Sequence, residues 1–108
     1  MIDTLIFGGT FDPVHCGHVT LAESILGVLE KDAQIAFIPN NEPPHRRLPE
    51  ASARERIDML NLALQGRPNI FVDDIEIKKG GVSYSIQTVK SYRRRYGPNF
   101  SLSFLVGL

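Results

Sequence analysis

One cysteine in 108 residues, Cys16, excludes an intramolecular disulfide and a structural zinc site built on several cysteines. An excess of charge is also missing. Lys plus Arg and Asp plus Glu stand at 12 each, so nothing in the global electrostatics favours nucleic acid or an anionic membrane. No run reaches the roughly 18 apolar residues that a membrane span needs. The opening stretch, Met1-Ile2-Asp3-Thr4-Leu5-Ile6-Phe7, lacks a basic region, and its apolar run is too short for a signal peptide. No internal repeat, low-complexity segment or linker divides the sequence. What is present suits a folded chain: 43% hydrophobic residues can build a core, and 22% charged residues argue against disorder. The expectation is one soluble cytoplasmic domain over residues 1–108.

Strand-like and helix-like patterns alternate along that domain. Residues 4–7 form a short apolar run that ends at Gly8-Gly9, as a buried strand running into a tight loop would. Over residues 17–30, Ala22, Ile25, Leu26 and Leu29 recur at helical spacing. A second strand is predicted over 34–38 and stops at Pro39. The proline-rich stretch 40–49 reads as a long polar loop. Ser52 followed by Glu55 has the spacing of a capping box, and Ile57, Leu60 and Leu64 continue a second helix. Residues 70–77 read as a third strand broken by Gly80-Gly81. A third helix is predicted over 83–96, ended by Gly97-Pro98, and a fourth strand over 101–106.

This alternation implies an α/β fold, a Rossmann-like parallel sheet with flanking helices. The last strand, with Leu102, Phe104, Leu105 and Val106, calls for burial on both faces, yet no helix follows it. Either the chain belongs to a longer one, truncated after the fourth strand, or a partner copy in a homo-oligomer supplies the cover.

The chemistry gathers between the first strand and the first helix, in Gly8-Gly9-Thr10-Phe11-Asp12-Pro13-Val14-His15-Cys16-Gly17-His18. Open α/β sheets bind ligands at this carboxyl end. Gly8 and Gly9 would let the backbone approach a phosphate without a Cβ in the way. The helix N-terminus supplies unpaired N–H groups. His15 and His18, three apart, can point the same way, with Gly17 between them leaving room for a ligand. Thr10 adds a hydroxyl. The run is neither G-x-G-x-x-G nor G-x-x-x-x-G-K-[ST], which excludes the dinucleotide-binding and Walker patterns. Considered singly, the two histidines also fit an ordinary polar surface.

This run resembles the ATP-binding signature of the H-x-G-H nucleotidylyltransferase superfamily. Pro39-Asn40-Asn41-Glu42-Pro43-Pro44-His45-Arg46 is similar to the P-N-x-P-P-H-[KR] loop of bacterial nicotinate-nucleotide adenylyltransferases. Gly81-Val82-Ser83-Tyr84-Ser85-Ile86-Gln87-Thr88-Val89 is similar to their S-Y-T-x-x-T-L segment, with Ser85 for the usual Thr and Val89 for Leu. The family's G-x-D segment and S-x-T-x-x-R motif would lie beyond Leu108.

The resemblance implies adenylyl transfer from ATP to nicotinate mononucleotide in NAD biosynthesis, with magnesium (Mg2+) bridging phosphate oxygens. It implies that Gly8, Gly9, Thr10 and Phe11 line the ATP site and that His15 and His18 contact its phosphates. Asn40 or Asn41, His45, Arg46, Tyr84 and Ser85 would take the mononucleotide, Arg46 holding its phosphate. The N-terminal amides of the third predicted helix, which Tyr84 and Ser85 open, would receive the nicotinate carboxylate. Alternative readings stay open: Arg46-Arg47 as a solvated pair, and Ser83 or Ser85 as a plain helix cap. Two others concern function, namely another H-x-G-H enzyme such as phosphopantetheine adenylyltransferase, or an inactive nucleotide-binding fragment. Asp73, Asp74 and Glu76 look like an acidic metal cluster, but strand alternation favours a solvated edge. Arg93-Arg94-Arg95 suits the end of a helix rather than nucleic acid.

Overall fold

Apolar side chains alternate in direction along β1 (Thr4–Gly9), and both sets are buried: Leu5 and Phe7 on one face, Ile6 on the other. That is the signature of a strand covered on two sides. The computed structural model describes residues 4–12, 14, 16–29, 32–41, 49–98 and 102–106. Its four strands, completed by β2 (Gln34–Pro39), β3 (Ile70–Val72) and β4 (Leu102–Val106), are all parallel in the order β3-β2-β1-β4. Thr4 pairs with Gln34 on one side and Leu102 on the other, and the β1–β2 register runs up to Gly9 opposite Pro39. β2 therefore extends one residue further than its sequence suggested. Pro39 is accommodated because it ends the strand, where a missing donor costs least.

Helices α1 (Cys16–Val28) and α2 (Ala53–Leu64) cover one face, burying Val19, Ala22, Leu60 and Leu64 against Leu5, Phe7, Ile35 and Phe37. Helices α3 (Ile75–Lys79) and α4 (Ser85–Tyr96) cover the other, where Tyr92 is fully buried against Ile6, Ala36 and Ile38. The expected α/β architecture, a Rossmann-like parallel sheet with flanking helices, is therefore present. β4 is an edge strand. Leu102 and Phe104 lean on the α3–α4 side and Leu105 on the α1–α2 side, each only partly buried, and Ser103 is exposed.

Three expectations need correction. Residues 70–77 are not one strand: β3 stops at Val72, and the backbone turns into α3. Asp73 drives the turn, its Oδ1 accepting from the Ile75 amide at 3.1 Å, a local bond that competes with the sheet ladder. Because Asp73 and Glu76 no longer alternate along a strand, the solvated-edge reading fails with it. The Asp73 side chain is only 15% exposed, and its Oδ2 accepts the Tyr92 hydroxyl at 2.5 Å. Finally, neither Ser83 nor Ser85 caps α4. Tyr84 is the N-cap and makes no side-chain cap bond.

The capping box of α2 does form. Ser52 Oγ accepts from the Glu55 amide at 3.1 Å, and Glu55 Oε1 from the Ser52 amide at 2.9 Å. The three arginines close α4 as expected: the Gly97 amide (φ 86°) donates to the Arg93 carbonyl, and Arg95 lies 5.1 Å from the Tyr92 ring centroid. Burial and the Asp73 carboxylate push the Tyr92 hydroxyl far above its usual pKa, so it stays a donor at all ordinary pH. Tyr92→Phe keeps the packing and removes this charged hydrogen bond. It is expected to lower unfolding free energy by about 1.5–3 kcal/mol in urea titration, and an unchanged midpoint would contradict the assignment.

Candidate active site

The carboxyl ends of β1, β2 and β3 open onto one edge of the sheet. The chain leaves β1 toward β2 on one side, while β4 joins on the other, so this edge contains the switch point where open α/β sheets bind ligands. Residues 10–12, 40–41 and 80–84 meet along the edge and are joined by side-chain hydrogen bonds.

Arg56 is the joint. It lies on α2 four and eight residues before Leu60 and Leu64, in phase with the buried stripe, and only 1% of it is exposed. Its Nη1 donates to the Thr10 carbonyl at 3.0 Å and to the Asn40 carbonyl at 2.7 Å, while Nη2 reaches the Asn41 carbonyl at 3.4 Å. One guanidinium thus ties the segment after β1 to the segment after β2. Arginine suits this because its planar fork offers several donors at fixed angles. Burial lowers its pKa, and the Asp12 carboxylate opposes that shift. Asp12 itself grips the turn ahead of α2, accepting from the Glu50 amide at 2.7 Å and the Ala51 amide at 3.0 Å.

Asn40 and Asn41 diverge from this joint. Asn40 turns toward the β1 segment, its amide donating to the Gly9 carbonyl and its Nδ2 to Thr10 Oγ1 at 3.0 Å. Asn41 turns toward α4. Its amide donates to Ser83 Oγ at 2.8 Å and its Nδ2 to the Gly81 carbonyl at 2.9 Å. Thr10 is therefore brought against Asn40, and Asn41 against the segment that carries Tyr84 and Ser85. Tyr84 and Ser85 stand exposed at the start of α4.

His18 sits in the first turn of α1, partly exposed, its ring edge-on to Phe11 at 5.2 Å and to Phe7 at 6.0 Å. This aromatic backing fixes the imidazole plane. No acidic residue occupies that first turn, so no carboxylate there offsets the positive end of the macrodipole. Gly17 and Cys16 are exposed beside it. His15, His45 and Arg46 lie outside the described residues.

A Cβ on Gly8 would meet Phe104 Cζ at 3.0 Å, and one on Gly9 would meet Phe11 Cζ at 3.2 Å, so aromatic rings pack closely on both glycines. Phe11 is likewise a core residue by its side chain, 4% exposed and packed on Phe7 and Phe37. Its backbone adopts φ 51°, which lets the chain double back over the sheet edge.

A strand–loop–helix crossover with a backed histidine, at the switch point of a parallel sheet, defines a Rossmann-like α/β protein. The chain belongs to the cytidylyltransferase-like family, whose model matches residues 6–108. It is 42% identical over 102 residues to the nicotinate-nucleotide adenylyltransferase of Escherichia coli O6:H1, an alignment covering 94% of this chain and 47% of that one. The chain spans about half the length of the curated relatives it matches. A solved structure of Plasmodium falciparum nicotinic acid mononucleotide adenylyltransferase complexed with NaAD matches with a TM-score of 0.79 at 18% identity, covering 96% of this chain and 51% of that one. The same Plasmodium enzyme complexed with APC gives 0.71 at 17%, covering 94% and 49%. At those identities the likeness is one of fold. No helix among the described residues is long and apolar enough to cross a membrane.

Arg56→Ala would leave the Thr10, Asn40 and Asn41 carbonyls without their donor. The expected loss is about 3 kcal/mol or more of unfolding free energy in urea titration. A loss within about 0.5 kcal/mol, the range of ordinary surface substitutions, would show that the guanidinium is not the joint.

Proposed function

We propose that this protein transfers the adenylyl group of ATP to nicotinate mononucleotide, giving the dinucleotide and pyrophosphate. A phosphate oxygen of the mononucleotide forms the new bond to the α-phosphorus, and the bond from that phosphorus to the pyrophosphate oxygen breaks. The acceptor brings its own nucleophile, so the protein need only position the two substrates and stabilise charge. The observation that carries the reading is the divergence of Asn40 and Asn41, which couples the H-x-G-H segment to the start of α4 across a single joint. Such a frame suits two nucleotides meeting end to end. The 42% identity to a nicotinate-nucleotide adenylyltransferase supports the same choice.

In this reading His15 and His18 donate to the ATP phosphates, and the Gly8–Gly9 backbone, Thr10 and the Phe11 backbone border the ATP site. His45 and Arg46 hold the mononucleotide phosphate, and Asn40 and Asn41 contribute to the same substrate's site. The first amides of α4, behind Tyr84 and Ser85, receive the nicotinate carboxylate, an anion that a nicotinamide lacks. Magnesium, when bound, neutralises charge on the phosphates and the leaving pyrophosphate.

Pyrophosphate release with ATP, magnesium and nicotinate mononucleotide tests the reading. Turnover is expected with the nicotinate and much less with the nicotinamide mononucleotide. His18→Ala should lower it about 10²–10³-fold with an unchanged circular dichroism spectrum. A near-normal rate in that variant would remove His18 from the mechanism.

A further inference from the structure

Asn41 is held from two sides, and on one of them the whole grip comes from the short stretch between α3 and α4. β2 ends at Pro39, and the Asn40 amide extends the ladder by one bond, to the Gly9 carbonyl. The Asn41 amide lies beyond the ladder and needs another acceptor. It finds the Ser83 hydroxyl at 2.8 Å, 42 residues on in sequence. Its side chain adds a second contact, Nδ2 donating to the Gly81 carbonyl at 2.9 Å. From the other side Arg56 Nη2 reaches the Asn41 carbonyl at 3.4 Å.

The stretch 80–83 is shaped for this grip. Gly80 and Gly81 both adopt left-handed φ angles, 75° and 68°, where a side chain would be strained. The turn they make delivers the Gly81 carbonyl and the Ser83 hydroxyl to the same asparagine. Ser83 is only 7% exposed and stands one residue before Tyr84, the N-cap of α4. Burying a hydroxyl costs free energy unless it is bonded. An alanine would fill the same place without that cost, so the bond to Asn41 is what distinguishes serine there.

We propose that Ser83 is a positioning residue for the acceptor side of the site: its hydroxyl, with the Gly81 carbonyl, fixes Asn41 relative to the first turn of α4. Asn41 and the Tyr84–Ser85 pair come from separate loops, and the Ser83–Asn41 bond sets the gap between them. A shift of about 1 Å in such a gap can change rates by about 10². That these residues serve the acceptor rests on the adenylyl-transfer reading. The clasp itself rests on the hydrogen bonds.

The test compares Ser83→Ala and Ser83→Thr with wild type in steady-state kinetics and in backbone amide spectra. Ser83→Ala should raise KM for nicotinate mononucleotide about tenfold, with KM for ATP nearly unchanged. Ser83→Thr keeps a hydroxyl and should recover most of that loss. The Asn41 amide should move upfield in the alanine variant, while that of Asn40, bonded to Gly9, stays. Equal rises in both KM values, or an unmoved Asn41 resonance, overturn the proposal. Should the alanine variant not fold, hydrogen exchange in wild type decides: an Asn41 amide as fast as an unfolded one overturns the clasp, and a protected one supports it. Turnover by wild type with no change of KM in Ser83→Ala defeats the proposal and leaves the functional reading standing. No turnover by wild type, with the Asn41 shift still present, defeats that reading and the acceptor role with it.

Discussion

A single buried guanidinium holds together the parts of this protein that face the crevice. Arg56 donates to carbonyls from both the β1 and β2 segments, and without it those oxygens lose this donor. Charge–dipole bonds to those carbonyls, aided by the field of the Asp12 carboxylate, must offset a large desolvation penalty. The offset requires all the acceptors to be present at once. The guanidinium therefore selects one arrangement of the two segments, and loosening either segment strands the charge.

The sheet makes that arrangement possible. Parallel strands bring the ends of β1 and β2 into register, Gly9 beside Pro39, so the segments that follow leave at the same level. Asp12 adds a second tie by holding the turn before α2, the helix that carries Arg56. Beyond the joint, two adjacent asparagines face opposite neighbours. One serves the segment leading to His18 and the other the segment leading to α4, so a short stretch of backbone spans both halves of the crevice. On the proposed adenylyl-transfer reading, which needs no protein nucleophile, the spacing of two substrates is what such a frame can contribute.

Elements whose signals are local were legible in the sequence. Helical spacing marked α1 and α2, the Ser52–Glu55 pair marked the α2 start, and Gly97 marked the end of α4. The glycine- and histidine-bearing run was placed between a strand and a helix, and β1 and α1 do flank it. Arg56 was missed because periodicity treats a charged residue as outward-facing. Its phase with Leu60 and Leu64 was the available clue, but the carbonyls that host it come from 15 to 46 residues away. Asp73 was misread for a related reason: an Asx-type bond to Ile75 ended the strand, and Tyr92, distant in sequence, used its other oxygen. Ser83 fits a cap by position and serves Asn41 instead, a choice that only the packed structure makes. The close packing of the Phe104 and Phe11 rings on Gly8 and Gly9 also lay beyond local sequence signals.

Amide hydrogen exchange on Arg56→Lys tests the central claim most directly. Lysine keeps the charge but cannot span both segments. The account predicts that the Asn40 and Asn41 amides lose protection together, by a common factor, while the Ile35 amide, bonded to the Asn69 carbonyl at the far end of the sheet, keeps its own. Unchanged protection at Asn40 and Asn41, or loss at only one of them, would contradict it.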